Sequence, residues 1–163
     1  MPIVTSGNKA NICVIMSVYN GNKYIKEQLD SIYNQDFDGM LTVYIRDDGA
    51  PEKAQNYLAS YVREKGNSLI IENGINMGPS RSFVEAIKHA PKADVYILSD
   101  QDDIWKPGKI RAILEEIEKE TGDDESIGGK ISAGSEICRA GASGSKLLHR
   151  SVQQDAGHEP MGC

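Results

Sequence analysis

Three carboxylates, Asp100, Asp102 and Asp103, follow directly on the apolar run Val95-Tyr96-Ile97-Leu98 and lead into Ile104-Trp105. Such a run reads as a buried strand, and its carboxyl end is the edge where open α/β sheets bind ligands. Asp100 and Asp102 are two positions apart, so in extended backbone both side chains project to one side. Hard oxygen donors at that spacing suit Mg2+ or Mn2+, ions that keep several waters and take further ligands from a substrate's phosphates. A sugar-bearing nucleoside diphosphate is one such substrate. A solvated acidic turn explains the same string in isolation. An EF-hand loop is excluded, because Ile104 and Trp105 stand where it needs an oxygen ligand and a glycine.

The elements that would position these groups recur along the chain. Asn11 to Val18 is apolar and branched and ends in Ser17, Tyr19 and Asn20. Helical spacing of Tyr24, Ile25, Leu29, Ile32 and Tyr33 follows, with Asn22 as the expected N-cap. Leu41 to Ile45 predicts a second strand running into Arg46-Asp47-Asp48-Gly49, and Pro51 suits the first turn of a helix that buries Ala54, Tyr57, Leu58, Tyr61 and Val62. Leu69 to Ile71 is a short third strand. After the turn Asn76-Met77-Gly78-Pro79 comes a helix with Phe83, Val84, Ala86 and Ile87 on one face. Val95 to Leu98 is the fourth strand, and Pro107 opens a helix whose apolar face is Ile110, Ile113, Leu114 and Ile117. Strands alternating with helices imply a mostly parallel sheet with right-handed crossovers and helices on both faces. Ser17, Tyr19, Asn20, Asp47, Asp48 and the later acidic group then share one carboxyl edge, the place for a nucleotide. Taken singly, Asp47 or Asp48 is equally a cap or turn former.

With 163 residues, 39% of them hydrophobic, the chain has room for one domain with a full core. The net charge of -6 argues against a nucleic-acid surface. Neither a spanning apolar segment nor a leader is legible, so the expected address is cytoplasmic. Cys13, Cys138 and Cys163 are scattered, with Cys13 inside a strand pattern, which argues against a disulfide framework. Cys138, His149, His158 and Cys163 lack the short paired spacings of structural zinc sites. The one Trp, seven Tyr and two Phe all lie at or before Trp105. From Thr121 to Cys163 the chain is rich in Gly and Ser. The expected division is therefore a binding domain over 1–120 and a loosely ordered tail over 121–163, in which Ile131, Ile137 and Leu147-Leu148 could add a small element. Deleting the tail should leave the fold largely intact.

Four ordered pieces resemble the family 2 glycosyltransferases: Ile15-Met16-Ser17-Val18-Tyr19-Asn20-Gly21 with Tyr24 and Gln28-Leu29-Asp30-Ser31-Ile32; Ile45-Arg46-Asp47-Asp48-Gly49; Asn76-Met77-Gly78; and Ser99-Asp100-Gln101-Asp102-Asp103-Ile104-Trp105-Lys106-Pro107 with Lys109-Ile110. The resemblance runs from about Asn11 to Lys119. It implies the GT-A fold, a Rossmann-like α/β/α sandwich that binds a nucleotide-sugar donor, and is similar to bacterial enzymes of surface-polysaccharide synthesis, rhamnosyltransferases among them. It further implies that Tyr19 stacks on the base and that Asp48, or its neighbour Asp47, accepts the imide hydrogen of uracil or thymine. Ser17 and Asn20 would lie at the nucleotide, Arg81 near it, and Asp100 at the ribose. Asp102 would hold Mn2+ or Mg2+, with Asp103 helping through water. The implied reaction is metal-dependent, inverting transfer from a UDP- or dTDP-sugar to a glycan or lipid-linked acceptor.

The sequence departs from the family at Ala50-Pro51-Glu52, where a Ser or Thr usually follows Asp-Asp-Gly. The acceptor region with its base is not legible after Lys119: Asp123, Asp124, Glu125, Asp155 and Glu159 have no context that selects one. Two alternatives stand beside an active transferase: a donor-binding module that holds nucleotide and metal without efficient transfer, and a chain completed by a second subunit or at the inner face of a membrane. A phosphoacceptor module of the flavodoxin type is disfavoured, because Glu72-Asn73-Gly74 follows the third strand where a lone acceptor Asp is needed.

Overall fold

The computed structural model describes residues 9–120, 130–133 and 136–139. Strands β1 (Ala10–Val18), β2 (Gly39–Asp47), β3 (Leu69–Asn73), β4 (Val95–Ser99), β5 (Lys130–Ala133) and β6 (Glu136–Arg139) form one sheet in the order β3-β2-β1-β4-β5-β6. All neighbours are parallel except β5 and β6. The connections carry α1 (Ile25–Tyr33), α2 (Ala54–Tyr57), α3 (Ala59–Lys65), α4 (Pro79–His89) and α5 (Lys109–Glu120). The chain moves outward from β1 to β2 and β3, then returns to place β4 on the other side of β1. That reversal opens a crevice at the carboxyl ends of β1 and β4.

Alternation along β1 builds two cores. Ile12, Val14, Met16 and Val18 face Ile25, Leu29 and Ile32 of α1, Ala54 of α2, Leu58, and Ile110 and Ile117 of α5. Cys13, Ile15 and Tyr44 face Ala86 of α4, with Phe83 and Ile87 packed alongside. A strand covered on both faces has no polar side to show, which is why β1 reads as an almost unbroken apolar run. Cys13 is a core residue, as expected, and burial pushes its thiol up to about 12.

Several local expectations are corrected. A 3-10 turn over Gly21–Lys23 precedes α1, whose N-cap is Tyr24 and not Asn22. Pro51 lies ahead of the second helix, which is divided at Leu58 and begins at Ala54. Val62 and Val84, expected in the core, are exposed. On α4 the buried positions are Ser82 and Ala86, one turn apart, and their small side chains let the helix lie close on the sheet. The sheet also continues past the expected boundary at residue 120, since β5 pairs with β4 and β6 with β5. The rest of 121–163, including His149, His158, Cys163 and the carboxylates Asp123, Asp124, Glu125, Asp155 and Glu159, lies outside the described residues. Among the described residues no helix is long and apolar enough to cross a membrane.

Candidate functional site

Parallel register brings the strand ends together: Ser17 pairs with Arg46, Val18 with Asp47, and Met16 with Ser99. Beyond them the chain opens a cleft of about 470 Å³, lined by Ser17 and Tyr19 after β1, Asp48 after β2, Asn76, Gly78, Pro79 and Phe83 around the start of α4, and Asp100, Gln101 and Asp102 after β4. Its size falls within the range of small-molecule sites. Of the residues singled out in the sequence, the structure gathers Ser17, Tyr19, Asp48, Asp100 and Asp102 in this one cleft. Asn20 is exposed, with a left-handed φ of 52°, and turns the chain into the 3-10 segment. Arg81 is exposed on the first turn of α4; neither it nor Asn20 is among the lining residues.

Asp47 and Asp48, adjacent in sequence, do different work. Asp47 is buried; its Oδ1 accepts from the backbone N–H of Gly49 and Ala50, and its Oδ2 from Ala54 N at 2.7 Å. It therefore caps the second helix, whose N-cap residue Lys53 makes no side-chain hydrogen bond of its own. Asp48 turns the other way. Its Oδ1 accepts from Arg46 at 2.7 Å and from Met77 N at 3.0 Å, and its Oδ2 from Gly78 N at 3.0 Å. Both members of the Arg46–Asp48 ion pair are almost fully buried, a placement that needs the extra hydrogen bonds each one makes. Three of the roughly four lone-pair positions of the Asp48 carboxylate are filled by the protein.

The loop after β4 is fixed from α1. Gln28, fully buried, donates to Ser99 Oγ at 2.7 Å and to the Asp100 carbonyl. Trp105 Nε1 donates to Ser99 Oγ at 3.2 Å, while its backbone N–H donates to Ser31 Oγ at 2.9 Å. On the cleft side Gln101 Oε1 accepts from Tyr19 N at 2.9 Å and ties the half-exposed tyrosine to the acidic loop. Asp103 is drawn away by Lys109 at 3.2 Å. Asp100 and Asp102 are exposed, and no hydrogen bond or ion pair among the described residues engages either carboxylate.

Among the described residues no group of three or more ligating side chains surrounds a point. Two free carboxylates at a cleft mouth still fit a divalent ion of the Mg2+ or Mn2+ kind, which binds through one or two carboxylates, waters and a substrate's phosphates, and not in a protein cage. Arg46, Ser82, Gln28 and Gln101 did not emerge from the sequence as site residues. The signal for Arg46 was present, since an Arg two positions before an Asp at a strand end shares its side of the chain.

The family described as Glycosyl transferase family 2 matches residues 13–129. The chain belongs to glycosyltransferase family 2. Among its relatives, an uncharacterized glycosyltransferase of Methanocaldococcus jannaschii is 30% identical over 104 residues, 63% of this chain and 36% of the relative. The dTDP-rhamnosyl transferase RfbG of Shigella flexneri is 31% identical over 104 residues, 61% of this chain and 36% of the relative. TarS of S. aureus, in a crystal structure with UDP-GlcNAc, is similar at 26% identity and a TM-score of 0.58, over 67% of this chain and 31% of that one. This family 2 chain thus spans about a third of the length of each of these three proteins, and its layers are those of the GT-A glycosyltransferase fold.

Proposed function

We propose that this family 2 chain binds the nucleotide-sugar donor, a UDP- or dTDP-sugar, for transfer to a glycan or lipid-linked acceptor in bacterial surface-polysaccharide synthesis. The observation that carries the reading is the cleft itself. An aromatic ring, a buried hydrogen-bond acceptor and two free carboxylates, from three different strand ends, occur in one crevice of nucleotide size. Family membership supports it. So do the names of two similar proteins, one a dTDP-rhamnosyl transferase and the other a TarS structure holding UDP-GlcNAc.

The half-exposed Tyr19 offers its ring to the base, and Asp48 offers its remaining lone pair to an imide N–H. Asp100 faces the ribose, and Ser17 lies beside the nucleotide. Asp102, with Asp100 next to it, would hold Mn2+ or Mg2+. When bound, such an ion supplies Lewis-acid neutralisation of the diphosphate as it leaves. Without a cation the two carboxylates repel the diphosphate, so donor binding is expected to require the metal. Gln28 and Trp105 hold the acidic loop in place before the donor arrives, which limits the reorganisation left to binding. Transfer with inversion further needs a base at the acceptor hydroxyl.

Calorimetric titration of the purified chain with UDP and with dTDP, each with and without Mn2+, tests the reading. Binding of at least one nucleotide only when metal is present is the expected result, and Asp102→Ala should remove it while leaving the unfolding midpoint within a few degrees of wild type. Failure of a folded wild-type chain to bind either nucleotide would remove the donor-site assignment.

A further inference from the structure

We propose that Arg46 is a positioning residue for base selection: its buried guanidinium sets the direction in which Asp48 presents its one open acceptor position. This rests on the reading of Asp48 as the nucleobase acceptor and goes beyond it by assigning the selectivity to a residue that is not among those lining the cleft. Arg46 leaves the end of β2 and runs beneath the loop between β3 and α4. It donates to Asp48 Oδ1 at 2.7 Å, to Ser82 Oγ on α4 at 2.9 Å and to the Ile75 carbonyl at 3.3 Å. Ser82, fully buried, accepts in turn from Ser17 Oγ at 2.6 Å. One guanidinium thereby joins the ends of β1 and β2, the β3–α4 loop and the first turn of α4, the same segments that wall one side of the cleft.

Three features separate this arrangement from a plain buried counter-charge. Arg46 shares Oδ1 with Met77 N, and Gly78 N takes Oδ2, so donors from separate segments fix the plane of the carboxylate and leave one lone pair over. A planar fork reaching three acceptors cannot be replaced by a lysine point charge. At Gly74 a Cβ would overlap the guanidinium, so this residue is bare where Arg46 passes. The Asp48 lone pair can then receive a base that carries an imide N–H, as uracil and thymine do. Cytosine, which presents a lone pair at the same ring position, meets repulsion.

UDP and CDP share their diphosphate and ribose, so their affinity ratio isolates the base. Titration of the full chain with each nucleotide in Mn2+ should show wild type preferring UDP by about tenfold or more, the value of one charge-assisted hydrogen bond. Arg46→Lys keeps the charge without the fork, Gly74→Ala displaces the fork without changing its charge, and Ser82→Ala removes one of its anchors. Thermal unfolding identifies which of them are folded. Expected in the folded variants is a ratio moved toward one, chiefly through weaker UDP binding. Equal binding of UDP and CDP by the wild type, or an unchanged ratio in folded variants, overturns the inference while leaving the nucleotide site standing. Binding of neither nucleotide by the wild type overturns the donor-site reading, and the inference with it.

Discussion

Neighbouring aspartates with the same chemistry are given opposite tasks by the direction of one turn. Asp47 spends its carboxylate on three backbone N–H groups of its own connection, whereas Asp48 reaches across to Met77 and Gly78 and keeps one side toward the cleft. Asp47→Ala leaves those N–H groups buried or poorly solvated and should cost about 1–3 kcal/mol, read from urea unfolding. The nucleotide affinity of the folded fraction should change little. A large loss of affinity at unchanged stability would show instead that Asp47 contacts the ligand. Sequence reasoning could place both residues at the carboxyl edge but not choose between them, because the choice depends on donors at positions 77 and 78, which are contributed by another connection. Asp100 and Asp102 were legible for the converse reason. Their position directly after an apolar strand is a local signal, although Gln101 and Asp102 form a turn and do not continue the extended backbone expected of them, and among the described residues no hydrogen bond or ion pair takes up their carboxylates.

Strands β1 to β4 were legible as elements because burial on both faces leaves continuous apolar runs, and α1, α4 and α5 because their apolar residues recur with helical period. The division at Leu58 was invisible. Backbone bonds from Leu58 N to Ala54 O at 3.0 Å and from Val62 N to Leu58 O at 2.9 Å bridge the break, so the spacing of core residues survives it. On α4 the apolar residues Phe83, Val84, Ala86 and Ile87 mark a face of which Ala86 is buried as expected, but Val84 is exposed and the sheet takes Ser82, whose hydroxyl is satisfied by partners far away in sequence. The far end of α4 is clasped to β3. Glu72 accepts from Tyr44 Oη and lies 3.0 Å from His89 Nδ1. Burial raises the Glu72 carboxyl, but the hydrogen bonds from Tyr44 and His89 and the charges of His89 and Arg46 outweigh it and hold the group below its usual range. A folded-state value below the unfolded one adds stability above the ordinary glutamate value near 4.3 and loses it as pH falls through the lowered folded value. Glu72→Gln should therefore be less stable than wild type at neutral pH and converge with it in acid. A difference that widens on acidification would contradict this clasp.

At the scale of the whole molecule the sheet runs past the change of composition at residue 120. The Gly- and Ser-rich composition after residue 120 gave little sign of strands, because Ile131 and Ile137 are isolated apolar residues. Nevertheless β5 lies against β4 with Tyr96 opposite Ile131. Removing 121–163 turns β4, the strand that carries the acidic loop, into an edge. The shortened chain should still unfold cooperatively, since both cores flank β1, but at a lower midpoint. A non-cooperative melt would make β5 and β6 part of the minimal folding unit. The return of the chain to β4 also governs when the cleft exists. Tyr19 and Gln101, which meet across it, are 82 positions apart. On a ribosome β1, β2 and β3 emerge well before β4, and closing so long a loop comes late and slowly. The cleft is thus complete only once β4 has slotted in beside β1. If the cleft takes a nucleotide as proposed, that ligand cannot template the early steps of this fold; it can only slow the departure of a strand that has already arrived.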